Sequence, residues 1–359
     1  MIRSGSALLI AAVLFPQSVC HAQSAVGQTA KGFKNAPQTR VTYRVSRRIK
    51  LGGEGDFWDY LEVDKTQNRI YVTRGTRVMV VQANTGKLIG ELPGTKKVHA
   101  ASVASDIGRI FVSNGIENEV RVFDSTSLAQ VGSVVVGKNP DAVLYHPATK
   151  RVFVSNGESN DMTVVDATTL KAIGTIPLGG KPEYSVFDSA GRVYVNIEDR
   201  NSLVAVDPME MKVLHEWPLG NCEEPTGLAI DREKGRLFSA CSNDLMAITD
   251  IAAGKLIGSV PIGGSCDGVA FDTQTRHVVA SNGEGTVTVV AEDRPGHYSV
   301  VQTLKTQPGG RTITYDEGRY RFLIPAGTYA PPSETAPTPD NPPILPGSFS
   351  LFVIEPERR

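Results

Sequence analysis

Four carboxylates, one imidazole and one guanidinium recur in this 359-residue chain: Asp59, His99, Asp141, Glu183, Asp267 and Arg311, with Thr226 in the fifth place. Their step is roughly 40–45 residues, the length of a structural repeat. Carboxylate oxygens and an imidazole nitrogen are ligands for a hard or borderline divalent cation such as Ca, Mg or Zn, provided the fold gathers them. The same groups would hold a cationic or polyhydroxylated ligand. With Arg311 polarising an ester or lactone and a carboxylate activating water, they would also support hydrolysis. Trp58 and Tyr60 stand beside Asp59 and offer rings either for stacking on a sugar or for plugging a seam. The plainer account is that polar side chains around a wet opening are satisfied by water and need no ligand. No Gly-x-Ser-x-Gly elbow, His-Glu-x-x-His pair or phosphate-binding glycine loop is present.

The elements that must position these residues repeat with the same step. Clear copies are NRIYVTRGTRVMVVQANTGKLIGELPG from Asn68, GRIFVSNGIENEVRVFDSTSLAQVGSVVVG from Gly108 and KRVFVSNGESNDMTVVDATTLKAIGTIPLG from Lys150. Each copy alternates β-branched and aromatic runs with Asn/Gly turns, which predicts short antiparallel strands and no helix. Seven second strands align, starting at Arg69, Arg109, Arg151, Arg192, Arg236, Arg276 and Arg321. Seven such units predict an all-β, seven-bladed β-propeller of four-stranded antiparallel blades.

Innermost strands are expected just before each arginine, from Tyr60, Ala100, Ala142, Tyr184, Gly227, Gly268 and Thr312, each ending four residues later. Five residues before those ends lie the six chemistry-bearing positions and Thr226. In a closed ring they converge at one mouth of the central channel. The last unit lacks a fourth strand, and the strand-like Thr42–Leu51 segment is otherwise unemployed, so it is expected to complete that blade. Recurring Asp124, Asp166 and Asp207 read as turn caps. A proline-rich insertion, Pro325–Ser348, interrupts the seventh unit and is expected either to fold over the mouth or to stand in solvent.

Residues 1–22 have the basic start, short apolar run and small-residue end of a signal peptide, which implies a periplasmic or secreted protein. Residues 23–40 read as a flexible segment and 41–359 as one propeller domain, expected to be monomeric and without a membrane span. A net charge of −1 gives no basic excess to attract nucleic acid. Glu117, Glu158, Asp161, Glu198, Asp199, Glu223 and Glu284 in neighbouring turns predict an acidic face around the mouth. Three cysteines follow the signal-like segment. Cys222–Cys241 within one blade is the preferred disulfide, Cys222–Cys266 its rival, and Cys266 the expected free thiol.

The RVFVSNG…VTVVDATTLKAIGTIPLGG units resemble the YVTN-repeat, YncE-like bacterial β-propellers over about Tyr43–Ile354, with the eponymous motif changed to YVTR at Tyr71–Arg74 and FVSN at Phe111–Asn114 and Phe153–Asn156. The resemblance implies a fold and an extracytoplasmic setting more than an activity. The expected function is a binding module that uses the mouth and its surrounding loops for a small ligand, metal ion or partner protein. The alternative is a metal-dependent lactonase-like hydrolase or lyase; nothing in the residues supports a quinone-dependent redox domain.

Overall fold

The computed structural model describes residues 41–55, 57–330 and 343–357; the expected signal peptide (1–22) and flexible segment (23–40) lie outside them. The described chain forms seven four-stranded antiparallel sheets. The first consists of Leu61–Asp64, Arg69–Arg74, Arg77–Gln82 and Leu88–Pro93, running from inner to outer strand. Each later blade repeats that meander, so the predicted seven-bladed propeller is the observed fold.

Burial explains why each run becomes its strand. Second strands such as Arg69–Arg74 and Arg151–Asn156 are buried on both faces after their first residue, because a blade lies against each side. Their β-branched and aromatic residues therefore read as continuous apolar runs rather than an alternation. Outer strands such as Lys171–Pro177 carry one deeply buried residue and are otherwise exposed or half-buried. Along the inner strands small residues permit convergence: a Cβ on Gly227 would stand 2.8 Å from the Gly268 Cα, and one on Gly268 would stand 2.8 Å from the Ile313 nitrogen. Only glycine fits where neighbouring backbones come this close.

The seventh blade joins both ends of the described chain. Thr314–Asp316, Arg321–Ala326 and Ser350–Pro356 are completed by Tyr43–Lys50, in a register running from Tyr43 opposite Pro356 to Lys50 opposite Ser350. The Tyr43 hydroxyl donates to Asp272 Oδ2 at 2.9 Å and lies 2.7 Å from Thr275 Oγ1, fastening this strand to blade six as well. At the turns, Asp124, Asp166 and Asp207 each accept two backbone N–H bonds, the capping role expected of them. Four of the recurrent arginines bridge blades, Arg69 donating to the Ser125 carbonyl, Arg151 to Pro208, Arg321 to Ala83 and Arg276 to Asp231. Arg109, Arg192 and Arg236 pair instead with Asp124, Asp188 and Asp250 of their own blades.

The inner strands of blades three to six begin two residues before the expected starts, at Pro140, Pro182, Pro225 and Cys266. Those of blades one and two begin one residue later than expected, and that of blade seven two residues later, at Thr314. Two second strands also differ from expectation. The second strands of blades four and six begin at Val193 and Val278, one and two residues after the aligned arginines, because Arg276 takes a left-handed turn conformation and Arg192 is engaged with the Asp188 cap. The described ends of the proline-rich insertion meet in a bridge, Tyr329 with Ile344, beside Trp58. Residues 331–342 lie outside the described residues. Among the described residues no helix is long and apolar enough to cross a membrane.

Candidate functional site at the channel mouth

Each mouth residue stands where the inner strand begins, and there the ladder is interrupted. The inner and second strands of blades three to six lose register between Pro140 and Val143, Pro182 and Ser185, Pro225 and Leu228, and Cys266 and Gly268. Asp141, Glu183, Thr226 and Asp267 fall inside these irregularities, which release them from pairing and re-aim their side chains. In blades one and two side-chain hydroxyls replace the missing ladder. Thr73 Oγ1 accepts from the Asp59 N–H at 2.9 Å and donates to the Tyr60 carbonyl, and Ser113 Oγ accepts from the His99 and Ala100 N–H groups.

Hydrogen bonds between blades then close the ring. The Tyr60 N–H reaches the His99 carbonyl at 3.0 Å, the Asp267 N–H reaches Arg311, and the Thr312 hydroxyl reaches the Asp59 carbonyl.

Asp59, His99 and Asp141 come together. His99 Nδ1 lies 2.7 Å from Asp59 Oδ2 and 3.7 Å from Asp141 Oδ1, and one ligand atom from each of the three falls within 4.8 Å of the others. They are 4%, 6% and 9% exposed, so the opening expected to be wet is closed over at this point. Asp59 Oδ1 and His99 Nε2 are buried without a hydrogen-bond partner among the described residues. Phe57 meets the His99 ring edge-on at 5.3 Å and helps exclude water.

The rest of the ring is held by cations. Arg311 Nε stands 2.9 Å from Asp267 Oδ2, and its NH2 group lies 3.9 Å from Asp59 Oδ2. Lys181 Nζ lies 3.1 Å from Glu183 Oε1 and also pairs with Glu198, which shares a hydrogen bond with Glu183. Burial raises the proton affinity of Asp59, Asp141, Glu183 and Asp267 above the ordinary carboxylate range. His99 is pushed down by burial, but Asp141 and Asp59 together outweigh that, and its net displacement is upward. A dry cluster with more carboxylates than cations must take up protons or bind a cation.

The sequence-predicted residues divide in their roles. Asp59, His99, Asp141, Glu183, Asp267 and Arg311 do gather at the mouth. Trp58 lies in the seam between blades, stacked on Tyr329 at 6.0 Å and tilted against Phe349, with its indole N–H donating to the Gly309 carbonyl. Tyr60 instead turns into the channel, its ring 4.6 Å from that of Tyr184. Its hydroxyl feels the charges of Asp267, Glu183, Asp59 and Asp141 and is buried without a hydrogen-bond partner among the described residues.

The surrounding face is less acidic than the turn residues alone suggested. Lys96 pairs with Glu117 at 2.7 Å, Arg121 binds Glu117 and Glu119, and Lys181 takes Glu198. Glu62 and Tyr184, inside the channel, were not singled out by sequence reasoning; their positions three and one residues after the mouth positions were the available signal.

The preferred disulfide is present. Cys222 and Cys241 are bonded across a Cα separation of 5.3 Å, stapling the loop before blade five to that blade's second strand. Cys241 stands opposite Pro225, at the irregularity that ends before Leu228. Cys266 is free and buried, and burial pushes its thiol up to about 12, which leaves it unreactive.

Comparison with solved structures finds the same architecture at low sequence identity. A chain of Kuenenia stuttgartiensis hydrazine synthase superposes with a TM-score of 0.66 and 15% identity, covering 76% of this chain and 94% of that one. A chain from a crystal structure of the mitotic checkpoint complex gives a TM-score of 0.70 at 13% identity, covering 93% and 98%. At such identities the likeness is one of fold. No protein-family model and no curated protein matches the sequence.

Proposed function

We propose that this chain is an exported binding propeller that takes a divalent cation at its channel mouth, on Asp59, His99 and Asp141. The observation that carries the reading is the buried constellation of two carboxylates and an imidazole with ligand atoms within 4.8 Å of one another. An imidazole among carboxylates favours a borderline ion such as zinc over calcium or magnesium. Ligand atoms of a tetrahedral zinc site stand roughly 3.3 Å apart when bonds are about 2.0 Å. The two separations from His99, 2.7 and 3.7 Å, bracket that spacing, and all three ligand atoms lie within 4.8 Å of one another. Export is supported by the signal-like first 22 residues and by a disulfide suited to an oxidising compartment. The YVTN-repeat resemblance agrees with that setting.

The test is titration of chelator-treated protein with zinc, calcium and magnesium, read by calorimetry and thermal melting. Zinc is expected to bind one site and raise the melting temperature with concentration. Asp141→Asn and His99→Gln should each remove that response. A folded wild-type protein that binds none of the three ions would refute the reading. A hydrolytic role draws on one further observation: the Asp59 bond to Nδ1 leaves His99 Nε2 without a partner. Turnover of a lactone or ester panel that His99→Gln abolishes would establish it.

A further inference from the structure

The Tyr60–Tyr184 pair divides the channel. Above it lies the acidic mouth. Below it a cavity of about 460 Å³ is lined by the inner strands of blades one to four, with Arg232 at its rim. The first layer of side chains after the mouth shows why the tyrosines meet: Ala100, Ala142, Gly227 and Gly268 are too small to fill the axis, and the two large rings cross it. Two positions deeper come Glu62, Ser102, Leu144 and Val186, all of which line the cavity.

Glu62 is the one carboxylate in that layer; Asp106, also in the lining, is engaged by Lys150 and by the Tyr145 hydroxyl. Only burial and the charge of Asp64 are felt by Glu62, and together they push it up to about 8. Ser185, also in the lining, is 3% exposed, and its hydroxyl has no partner among the described residues. Tyr60, Tyr145, Tyr184 and Phe187 supply aromatic surface around the same space. Arg232 does not turn the cavity into an anion site. Its Nε donates to the Phe187 carbonyl at 2.9 Å, its guanidinium lies 4.9 Å over the Phe187 ring, and Asp188 and Glu317 act on its charge.

A carboxylate at depth among aromatic rings and apolar walls is the recognition chemistry of an ammonium group with a hydrocarbon body. We propose that the lower channel is a second binding site, taking a small primary alkyl- or arylalkylammonium ion with its charged end on Glu62 and its body against Leu144 and Val186. On binding, the Glu62 carboxyl releases its proton to solvent, while the ammonium keeps its own.

The probe is hexylammonium chloride, titrated calorimetrically into the full protein beside hexanol and hexanoate. Hexylammonium is expected to bind with a Kd below about 1 mM, and both comparison compounds at least about tenfold more weakly. Glu62→Gln, which keeps shape and disturbs no hydrogen bond, should lower hexylammonium affinity by about tenfold or more. Leu144→Trp, which fills the cavity without touching Glu62, should abolish binding. Asp141→Asn at the mouth should leave it unchanged, separating this site from the metal site above. Equal binding by Glu62→Gln, equal binding of hexanoate, or no binding of hexylammonium to the wild type would overturn the proposal.

Discussion

Glu62→Gln should stabilise the protein, and by an amount that depends on pH. A carboxyl raised from 4.5 to about 8 binds its proton more tightly folded than unfolded. Each tenfold in proton affinity is worth about 1.4 kcal/mol, so full ionisation of Glu62 in the folded state costs roughly 4–5 kcal/mol. At pH 7, where the folded group is still mostly protonated and the unfolded one ionised, the cost is roughly 3 kcal/mol. Glu62 faces a water-accessible cavity rather than a packed seam, and screening there lowers the expected gain to about 1–3 kcal/mol.

The sign follows from the direction of the displacement. Below pH 4.5 the carboxyl is protonated in both states, and the variant gains nothing by this route. Between pH 4.5 and about 8 the wild type loses stability relative to the variant, and above that the difference levels off. Urea unfolding of both proteins at pH 4, 6 and 8.5, followed by circular dichroism, measures it. A stability difference independent of pH, or a variant less stable than wild type at pH 8.5, would refute the unfavourable ionisation of Glu62 in the channel. The gain would also identify the stability that the chain forgoes to keep a carboxylate there, which is the pattern of a ligand site.

Three further outcomes are expected. Reducing the Cys222–Cys241 bond, which closes a loop of sequence separation 19, should cost about 3 kcal/mol, seen as a lower melting temperature with dithiothreitol. Gly268→Ala should destabilise by about 1–3 kcal/mol because its new Cβ meets backbone; Gly258→Ala, with nothing within 4 Å, should show no such loss in the same urea titration. Tyr43→Phe removes the hydrogen bond to Asp272 and should cost about 1.5–3 kcal/mol in urea unfolding.

Repetition made the architecture readable. Each blade restates the same strand–turn–strand pattern, so a weak local signal is seen seven times, and a single period places Asp59, His99, Asp141, Glu183, Asp267 and Arg311 on one rim. What repetition does not carry is the departure from it. The register irregularities follow a recurring proline in three of four blades, at Pro140, Pro182 and Pro225. The proline alone does not say which way the next side chain turns, and the irregularities decide that the rim side chains turn inward and that Cys241 faces Pro225. The roles of Trp58 and Tyr60 were open for a related reason. The two are separated by one residue, a spacing that would put both on one face of a regular strand. They precede the inner strand that begins at Leu61, however, and only their surroundings distinguish seam from channel. Lys96 and Lys181 belong to the connecting loops, where spacing varies, so their neutralising contacts with Glu117 and Glu198 were invisible to a fixed period. The cavity beneath Tyr60 and Tyr184 arises from what four other blades lack, a volume no single segment encodes.

The pairing of Tyr43–Lys50 with Ser350–Pro356 sets the order of assembly. The first strand of the described chain to leave the ribosome finds its hydrogen-bonding partner only when the last has emerged, some three hundred residues later. Six blades can condense from local hairpins while the circle stays open. A chain cut short before Ser350 would leave Tyr43–Lys50 and Arg321–Ala326 without the strand that joins them, and the ring open at its seventh blade.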